Sequence, residues 1–368
     1  MSDRIRHRLA RIARAQNVTA AQLCALAATD PALECIERRD AVGLARHGLT
    51  TFAREWLLEP DLALIAADEA WLDAAGATLL PATSPDYPPL LALLPDAPAV
   101  LYVRGDVSVL AEPQIAMVGS RNPTAGGRDT ARAFAAKFAR AGLGVTSGLA
   151  LGIDTASHEG ALSAGGVTTA VLGCGLDICY PVQNRDLAER IVAAGALITE
   201  FPPGTAARPP HFPRRNRIIA GLAAGTLVVE AACRSGSLIT ARLAGVAGRE
   251  VFALPGSIHN EMVRGCHELI RQGAKLVECV EDVLCELKIS LADQIARPAP
   301  SAPPDGPVLD KAYKILLDAL AFEPAGVDSL IERTGLNSES IASMLLILEL
   351  DGHVAPHPGG RYSRLAGR

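Results

Sequence analysis

The stretch Ile115-Ala116-Met117-Val118-Gly119-Ser120-Arg121-Asn122-Pro123-Thr124-Ala125-Gly126-Gly127 decides how this chain is read. The run 115–118 is short and apolar on both faces, which predicts a strand buried inside a sheet. The glycine after it and the Thr-Ala-Gly-Gly that follows predict a turn and then a helix start. Five further runs have the same character, at 144–147, 168–172, 196–199, 226–229 and 250–254, each separated from the next by a helical segment. Strands apolar on both faces and alternating with helices are what a parallel sheet covered on both sides requires. Residues 113–288 are therefore read as a doubly wound α/β domain with its ligand site at the carboxyl ends of the strands.

Working outward, residues 1–78 read as short helices, with apolar positions at helical spacing in Leu23, Leu26, Leu33 and Ile36 and in Leu62, Ile65 and Leu72. Arg4, Arg6, Arg8, Arg11 and Arg14 at the start give a basic amphipathic segment without the apolar core of a secretory signal, read as an exposed helix of a folded domain, with a transit peptide as the alternative. Residues 79–112 are rich in proline and read as an extended connector that ends in an edge strand around 99–103. Prolines 298, 300, 303 and 304 mark a linker over 289–307. Residues 308–368 follow the order of a winged helix-turn-helix: helices at 311–322, at 327–334 and from Ser338, then a hairpin around Pro358-Gly359-Gly360.

Composition narrows the class. The chain has 368 residues, 49% hydrophobic and 20% charged, which suits a globular protein of two or three domains. No run approaches the roughly 18 apolar residues of a membrane helix, so no membrane partner is expected. The eight cysteines form no C-x-x-C pair, and most are read as small packed hydrophobes in a reduced, cytoplasmic setting, with no metal and no cofactor expected. The formal net charge of -5 means that any nucleic-acid site is a local basic patch.

Three segments carry candidate chemistry. Gly119, Ser120 and Arg121 offer close backbone approach, amides at a helix start and a forked donor, together a phosphate cradle; the alternative is a plain turn with a surface arginine. The segment 208–217 holds four arginines, Arg208, Arg214, Arg215 and Arg217, with Asn216, and no carboxylate lies between Glu200 and Glu230. Its prolines suggest an extended loop on which His211 and Phe212 give flat faces for bases, and the arginines supply charge for a phosphate backbone; a solvated basic loop is the alternative. Ser235, Gly236 and Ser237 open a helix, where hydroxyls and amides either cap it or receive a phosphate oxygen.

Other patterns are set aside. Gly173-Cys174-Gly175-Leu176-Asp177-Ile178 starts like a dinucleotide loop but has isoleucine at the third glycine position, and nothing matches a Walker A loop. Asp154 and His158 are read as an N-cap and a packed ring rather than a catalytic pair. A nucleoside-monophosphate enzyme on a related sheet is the runner-up reading; Glu230 is the nearest acid and has no evident partner.

These blocks taken together, from Met117-Val118-Gly119-Ser120-Arg121 through Ser147-Gly148-Leu149-Ala150, Gly152-Ile153-Asp154, Leu172-Gly173-Cys174-Gly175-Leu176-Asp177 and Tyr180-Pro181 to Phe212-Pro213-Arg214-Arg215-Asn216-Arg217, Ser235-Gly236-Ser237-Leu238 and Leu254-Pro255-Gly256, resemble the DNA-processing protein A (DprA/Smf) family. The resemblance covers about residues 80–288. It implies a Rossmann-like sheet, with the N-terminal helices (a SAM-like domain) and the winged helix as appendages. It further implies a non-enzymatic protein that binds and protects single-stranded DNA and loads the recombinase RecA, in natural transformation or homologous recombination, as a homodimer through the Rossmann-like domain. On this resemblance Ser120 and Arg121 hold a phosphate and the segment 214–217 lines the strand's path. Leu151 and Val182 stand where many or some members carry a basic residue, and Arg185 is the expected substitute for the second.

The winged helix reads differently from a duplex binder. Between Asp310 and Asp351 there are eight carboxylates against Lys311, Lys314 and Arg333. A helix entering a DNA groove needs cations toward phosphate, so this domain is expected to contact mainly protein, with Arg361 and Arg364 of the wing left to touch DNA.

Overall fold

The computed structural model describes residues 3–15, 17–287, 311–320 and 324–365. The expected linker 289–307 lies outside the described residues.

One nine-stranded sheet organises the molecule. Its strands are β1 (Ala77–Pro81), β2 (Val100–Gly105), β3 (Gln114–Val118), β4 (Gly144–Ser147), β5 (Thr168–Val171), β6 (Ala196–Thr199), β7 (Gly225–Val228), β8 (Glu250–Ala253) and β9 (Lys275–Leu276), in the order β1-β2-β6-β5-β4-β3-β7-β8-β9. Each of the six expected strands falls within one residue of its place. From β6 to β9 all pairs are parallel, and the middle strands are buried on both faces because helices cover both sides. The chain runs from β3 outward to β6 and then returns to the other flank of β3 with β7. That reversal opens a crevice between the carboxyl ends of β3 and β7, the usual place for a ligand in such sheets.

Two features differ from expectation. The sheet is mixed: β1 and β2 are antiparallel to each other, and β2 is antiparallel to β6. The strand near 99–103 is therefore second from the edge, and β1, which straddles the expected domain boundary at 78/79, covers it.

Before β1 the chain forms helices Asp3–Arg14, Ala20–Thr29, Glu34–Glu37, Ala41–Arg46, Thr51–Leu58 and Leu62–Ala75. Leu23, Leu26, Leu33, Ile36, Ile65 and Leu72 are buried as their spacing predicts, whereas Leu62 is exposed. Their core is continuous with that of the sheet, since Leu9, Ile12 and Leu72 share one cluster with Ala170, Leu172 and Leu197. The first helix is not an exposed basic one. Arg8 and Arg11 are buried, with Arg8 paired to Glu37 at 2.6 Å and Arg11 donating to the carbonyls of Ile36 and Leu57. Arg14 grips Asp68 at 2.5 and 2.6 Å and also donates to the Pro203 carbonyl, tying the helices to the loop beyond β6. Apart from exposed Arg4, a positive segment that looked solvated thus supplies internal clamps, with Arg8, Arg11 and Arg14 each answered by a carboxylate or by carbonyls, as burial requires.

The C-terminal unit has helices Lys311–Leu320, Val327–Thr334 and Ser338–Leu350 and a small sheet of β10 (Ala325–Gly326), β11 (Val354–His357) and β12 (Arg361–Arg364) in the order β10-β12-β11. Gly335 in the left-handed region ends the second helix, and Gly359 and Gly360 make the wing's turn, so the winged-helix order is present. Only Cys174 and Cys266 of the eight cysteines are buried, so the expectation that most pack as hydrophobes does not hold. No helix among the described residues is long and apolar enough to cross a membrane.

Asp154 and His158 are structural, in a different arrangement from the expected one. Gly152 occupies the N-cap, and the Asp154 carboxylate instead accepts from the amides of Gly148 and Ala150. His158 is fully enclosed, with Nδ1 2.7 Å from the Thr168 hydroxyl on β5, and burial pushes its ring down to about 3 from the usual 6.5. Between those values the unfolded chain binds a proton that the native chain does not, so stability falls as pH drops below about 6.5. At one pH unit below the unfolded value the loss approaches about 1.4 kcal/mol from this residue. Urea denaturation at pH 7.5 and 5.5 measures it, and His158→Gln is expected to flatten the difference.

Candidate functional site

The crevice at the ends of β3 and β7 is a cleft of about 570 Å³. The turn after β3 contributes Gly119 and Arg121, the turn after β7 contributes Ser235, Gly236 and Ser237, and the helix His211–Leu222 contributes Phe212, Arg215 and Asn216. All three candidate segments therefore meet. They meet because parallel strands deliver their following turns to one rim.

The wall is aromatic and cationic. Arg121 is exposed, and its guanidinium carbon sits 5.5 Å from the centre of the Phe212 ring. Tyr180 lies on the same ring at 5.6 Å between centroids. Gly173, from the discarded dinucleotide-like loop, has a definite job here: a Cβ on it would stand 2.9 Å from Phe212. Arg121 makes no ion pair among the described residues, so its charge faces the cleft. Opposite, the Ser235 and Ser237 hydroxyls lie 2.7 Å apart, and the Asn216 amide nitrogen reaches the Gly236 carbonyl at 3.5 Å.

The cradle is built differently from its sequence reading. The helix Ala125–Arg140 begins with Thr124, whose hydroxyl accepts from the Gly127 amide. Glu230, two residues after β7, then accepts from the Thr124 amide at 2.9 Å and its hydroxyl at 2.6 Å. A buried carboxylate thus already occupies the positive end of that helix, and Glu230 does have a partner. A Cβ on Gly127 would collide with the Glu230 carboxylate, which keeps that position glycine. The other side of the turn, where Arg121 points, stays open to the cleft. Ser120 is buried beneath it; its amide donates to the Glu230 carbonyl and its hydroxyl accepts from the Asn122 amide. The serine turn is likewise partly satisfied from within, because the Ser237 amide donates to the Ser235 hydroxyl, although Gly236 at the N-cap provides no side-chain cap.

From His211 onward the arginine-rich segment is helix, not extended loop. Pro210 is the N-cap and Pro213 falls in the first turn, where a missing N–H costs nothing. Helical geometry then sends its cations in different directions. Arg215 points inward and is buried; it donates to the Gly148 carbonyl at 2.7 Å and to the Val171 carbonyl, and it faces Asp154. Burial lowers its guanidinium to about 10 and raises the Asp154 carboxyl, each partly held charged by the other. Arg214 and Arg217 both pair with Glu200, at 2.8 and 2.6 Å, and Arg217 also approaches Asp96 at 3.4 Å. Neither lines the first cleft. His211 faces away too, stacked on Phe201 at 4.4 Å. Arg185, exposed at the start of helix Arg185–Ala194, does not line it either, and exposed Leu151 and Val182 leave no cation in the two departing positions.

Sequence reasoning missed Tyr180 as a wall of the cleft and Glu200 as the partner of two arginines. Tyr180 was visible only as part of a Tyr-Pro block. Glu200 sits at the edge of the carboxylate-free stretch, and its role depends on how the next helix is wound.

A mixed sheet with a switch-point cleft and a winged helix defines a Rossmann-like α/β protein with an accessory winged-helix unit. A sequence model of the DNA recombination-mediator protein A family matches residues 78–288, and one of the DprA winged helix domain matches 298–360. The chain belongs to the DprA/Smf family of DNA-processing proteins. It is 42% identical over 333 residues to Protein Smf of Escherichia coli strain K12, covering 89% of this chain and 87% of that one. The DNA processing protein DprA of Streptococcus pneumoniae is 46% identical over 202 residues, covering 55% of this chain and 71% of its own. A solved structure of the Streptococcus pneumoniae protein superposes with a TM-score of 0.64 at 36% identity, over 75% of this chain and 95% of that one. A structure of DNA processing protein A from Helicobacter pylori, described for its single-stranded DNA binding mode, gives 0.52 at 28% identity over 58% of this chain and 95% of that one.

Proposed function

We propose that this chain is a non-enzymatic, cytoplasmic binder of single-stranded DNA that protects the strand and hands it to the recombinase RecA, in natural transformation or homologous recombination. It acts as a homodimer through the Rossmann-like domain. The observation that carries the reading is the Arg121 guanidinium on the Phe212 ring, with Tyr180 beside it, facing the Ser235–Ser237 turn across an open cleft. Stacked aromatics receive bases of any sequence, and an arginine beside them that has no ion pair among the described residues receives the phosphate. A flat base must be unstacked to lie on Phe212, which favours a single strand over a duplex. Catalysis on a nucleoside monophosphate finds less support, since the acid lining the cleft, Asp154, is buried and held by the Gly148 and Ala150 amides beside Arg215, and Glu230 is already engaged by Thr124.

Within this reading the contacts divide. Gly119, Arg121, Phe212, Asn216, Ser235, Gly236 and Ser237 touch the strand, Ser120 supports the turn from below, and Arg215 shapes the cleft from inside. The winged helix serves protein contacts. Its helix Ser338–Leu350 carries no cation and exposes Leu346, Ile347 and Leu350, while Arg364 of the wing pairs with Asp318 at 3.1 Å.

The test is fluorescence anisotropy with matched single-strand and duplex oligonucleotides across a salt series. Single-strand binding at least about tenfold tighter than duplex, weakening linearly with log salt, is expected. Equal affinity for both forms, or none for either, rejects the proposal.

A further inference from the structure

The start of helix His211–Leu222 separates two clefts. Phe212, Arg215 and Asn216 line the first, and His211 and Arg214, with Arg208 just before the helix, line a second of about 580 Å³. This second cleft lies between the N-terminal helices, which contribute Phe52 and Trp56, and the loop after β6, which contributes Glu200 and Phe201.

Its floor has unused polar capacity. Glu200 keeps only 5% of its side chain exposed, and one carboxylate oxygen accepts from both Arg214 and Arg217. The other oxygen, Oε1, is buried and makes no hydrogen bond among the described residues, and the same is true of His211 Nδ1. A buried carboxylate oxygen without a donor is costly, so the site is suited to a ligand that brings an N–H. The walls are flat: Phe201 carries the His211 ring on one side and the Arg214 guanidinium at 5.5 Å. Phe52 is 59% exposed at the mouth. Charge is also suitable for a nucleotide. Glu200 and Asp96 offset Arg214 and Arg217, which leaves exposed Arg208 as a cation without an ion pair among the described residues.

We propose that the single strand held at Arg121 and Phe212 continues over the start of this helix into the second cleft, where Glu200 accepts from the exocyclic amino group of a base. The inference rests on the function proposed above. A carboxylate oxygen in such a place takes the N4 amino group of cytosine, whereas thymine presents a carbonyl at the equivalent position and is repelled. Arg208 at the rim takes the phosphate of that nucleotide. Adjacent residues of one helix thereby serve successive parts of one strand: Phe212 the first cleft, His211 and Arg214 the second.

The experiment uses the full chain carrying Trp71→Phe, which leaves Trp56 in the second cleft as the sole tryptophan. Oligo-dC and oligo-dT of roughly 12 nucleotides, within the ~4–16 nucleotide range of single-strand sites, are titrated with anisotropy and Trp56 emission read together. Both oligonucleotides are expected to bind, with oligo-dC at least about fivefold tighter and accompanied by a change in Trp56 emission. Phe52→Ala and Arg208→Ala, both at exposed side chains, are expected to weaken oligo-dC binding about threefold or more, and Glu200→Gln to abolish the preference for dC. Should Glu200→Gln fail to fold, the two exposed variants still decide. Binding of both oligonucleotides with equal affinity and an unmoved Trp56 signal overturns this inference while leaving the proposed function standing. Absence of any anisotropy change overturns both.

Discussion

Arg215→Ala is expected to destabilise the protein by about 3–5 kcal/mol, the usual result of removing one partner from a buried charge pair. Arg215 is 4% exposed, and the carbonyls of Gly148 and Val171 both depend on its Nη1 donors. Without it Asp154 is left as a buried carboxylate with no cation beside it among the described residues, held by the amides of Gly148 and Ala150 and by the Ser147 side chain. The damage extends to the turn those groups hold. Leu149 sits at φ 58°, a region that costs a side chain of this type, and the turn is pinned by Asp154, by Arg215 and by the Asn184 amide on the Leu149 carbonyl at 2.8 Å. No small adjustment restores the fit, since Gly148 is the residue whose missing Cβ makes room for the guanidinium. Urea denaturation monitored by circular dichroism measures the loss. A change under about 1 kcal/mol would show that this charge is not structural.

Arg121→Ala is expected to behave in the opposite way. Its side chain is exposed and makes no ion pair among the described residues, so stability should change by no more than about 0.5 kcal/mol. Single-strand affinity should fall by about tenfold or more, and the salt dependence should lose about one unit of slope, as for a lost phosphate contact. Arg217→Ala provides the contrast. The resemblance places it on the strand's path, yet its guanidinium is bound to Glu200 and approaches Asp96. Its removal should therefore leave the salt slope near that of the parent. An Arg121→Ala protein that titrates like the parent across the salt series would remove the basis for placing phosphate at this turn.

Much of the architecture was legible in the residues. Six apolar runs announced six strands because a strand buried on both faces must be apolar throughout, and that demand is local. The winged helix was equally readable, from a glycine that ends one helix and a glycine pair that turns the wing. The meeting of the three candidate segments also followed from sequence, since turns after parallel strands share a rim. Less accessible was the antiparallel edge, because pairing direction belongs to two strands and neither β1 nor β2 carries a signal for it alone.

What the sequence by itself determined is the set of strands, their helical partners and the family to which the chain belongs. Only the tertiary structure decided what each arginine does. Prolines 209, 210 and 213 suggested an extended loop with every cation free, but a proline in a helix's first turn breaks no hydrogen bond. Once that segment is helical, the 3.6-residue turn sends Arg215 into the core and Arg214 and Arg217 onto Glu200, and the free charge of the cleft comes from Arg121 instead. The direction of a side chain, and the carboxylate waiting where it points, are properties of the folded surroundings and have no counterpart in the order of residues.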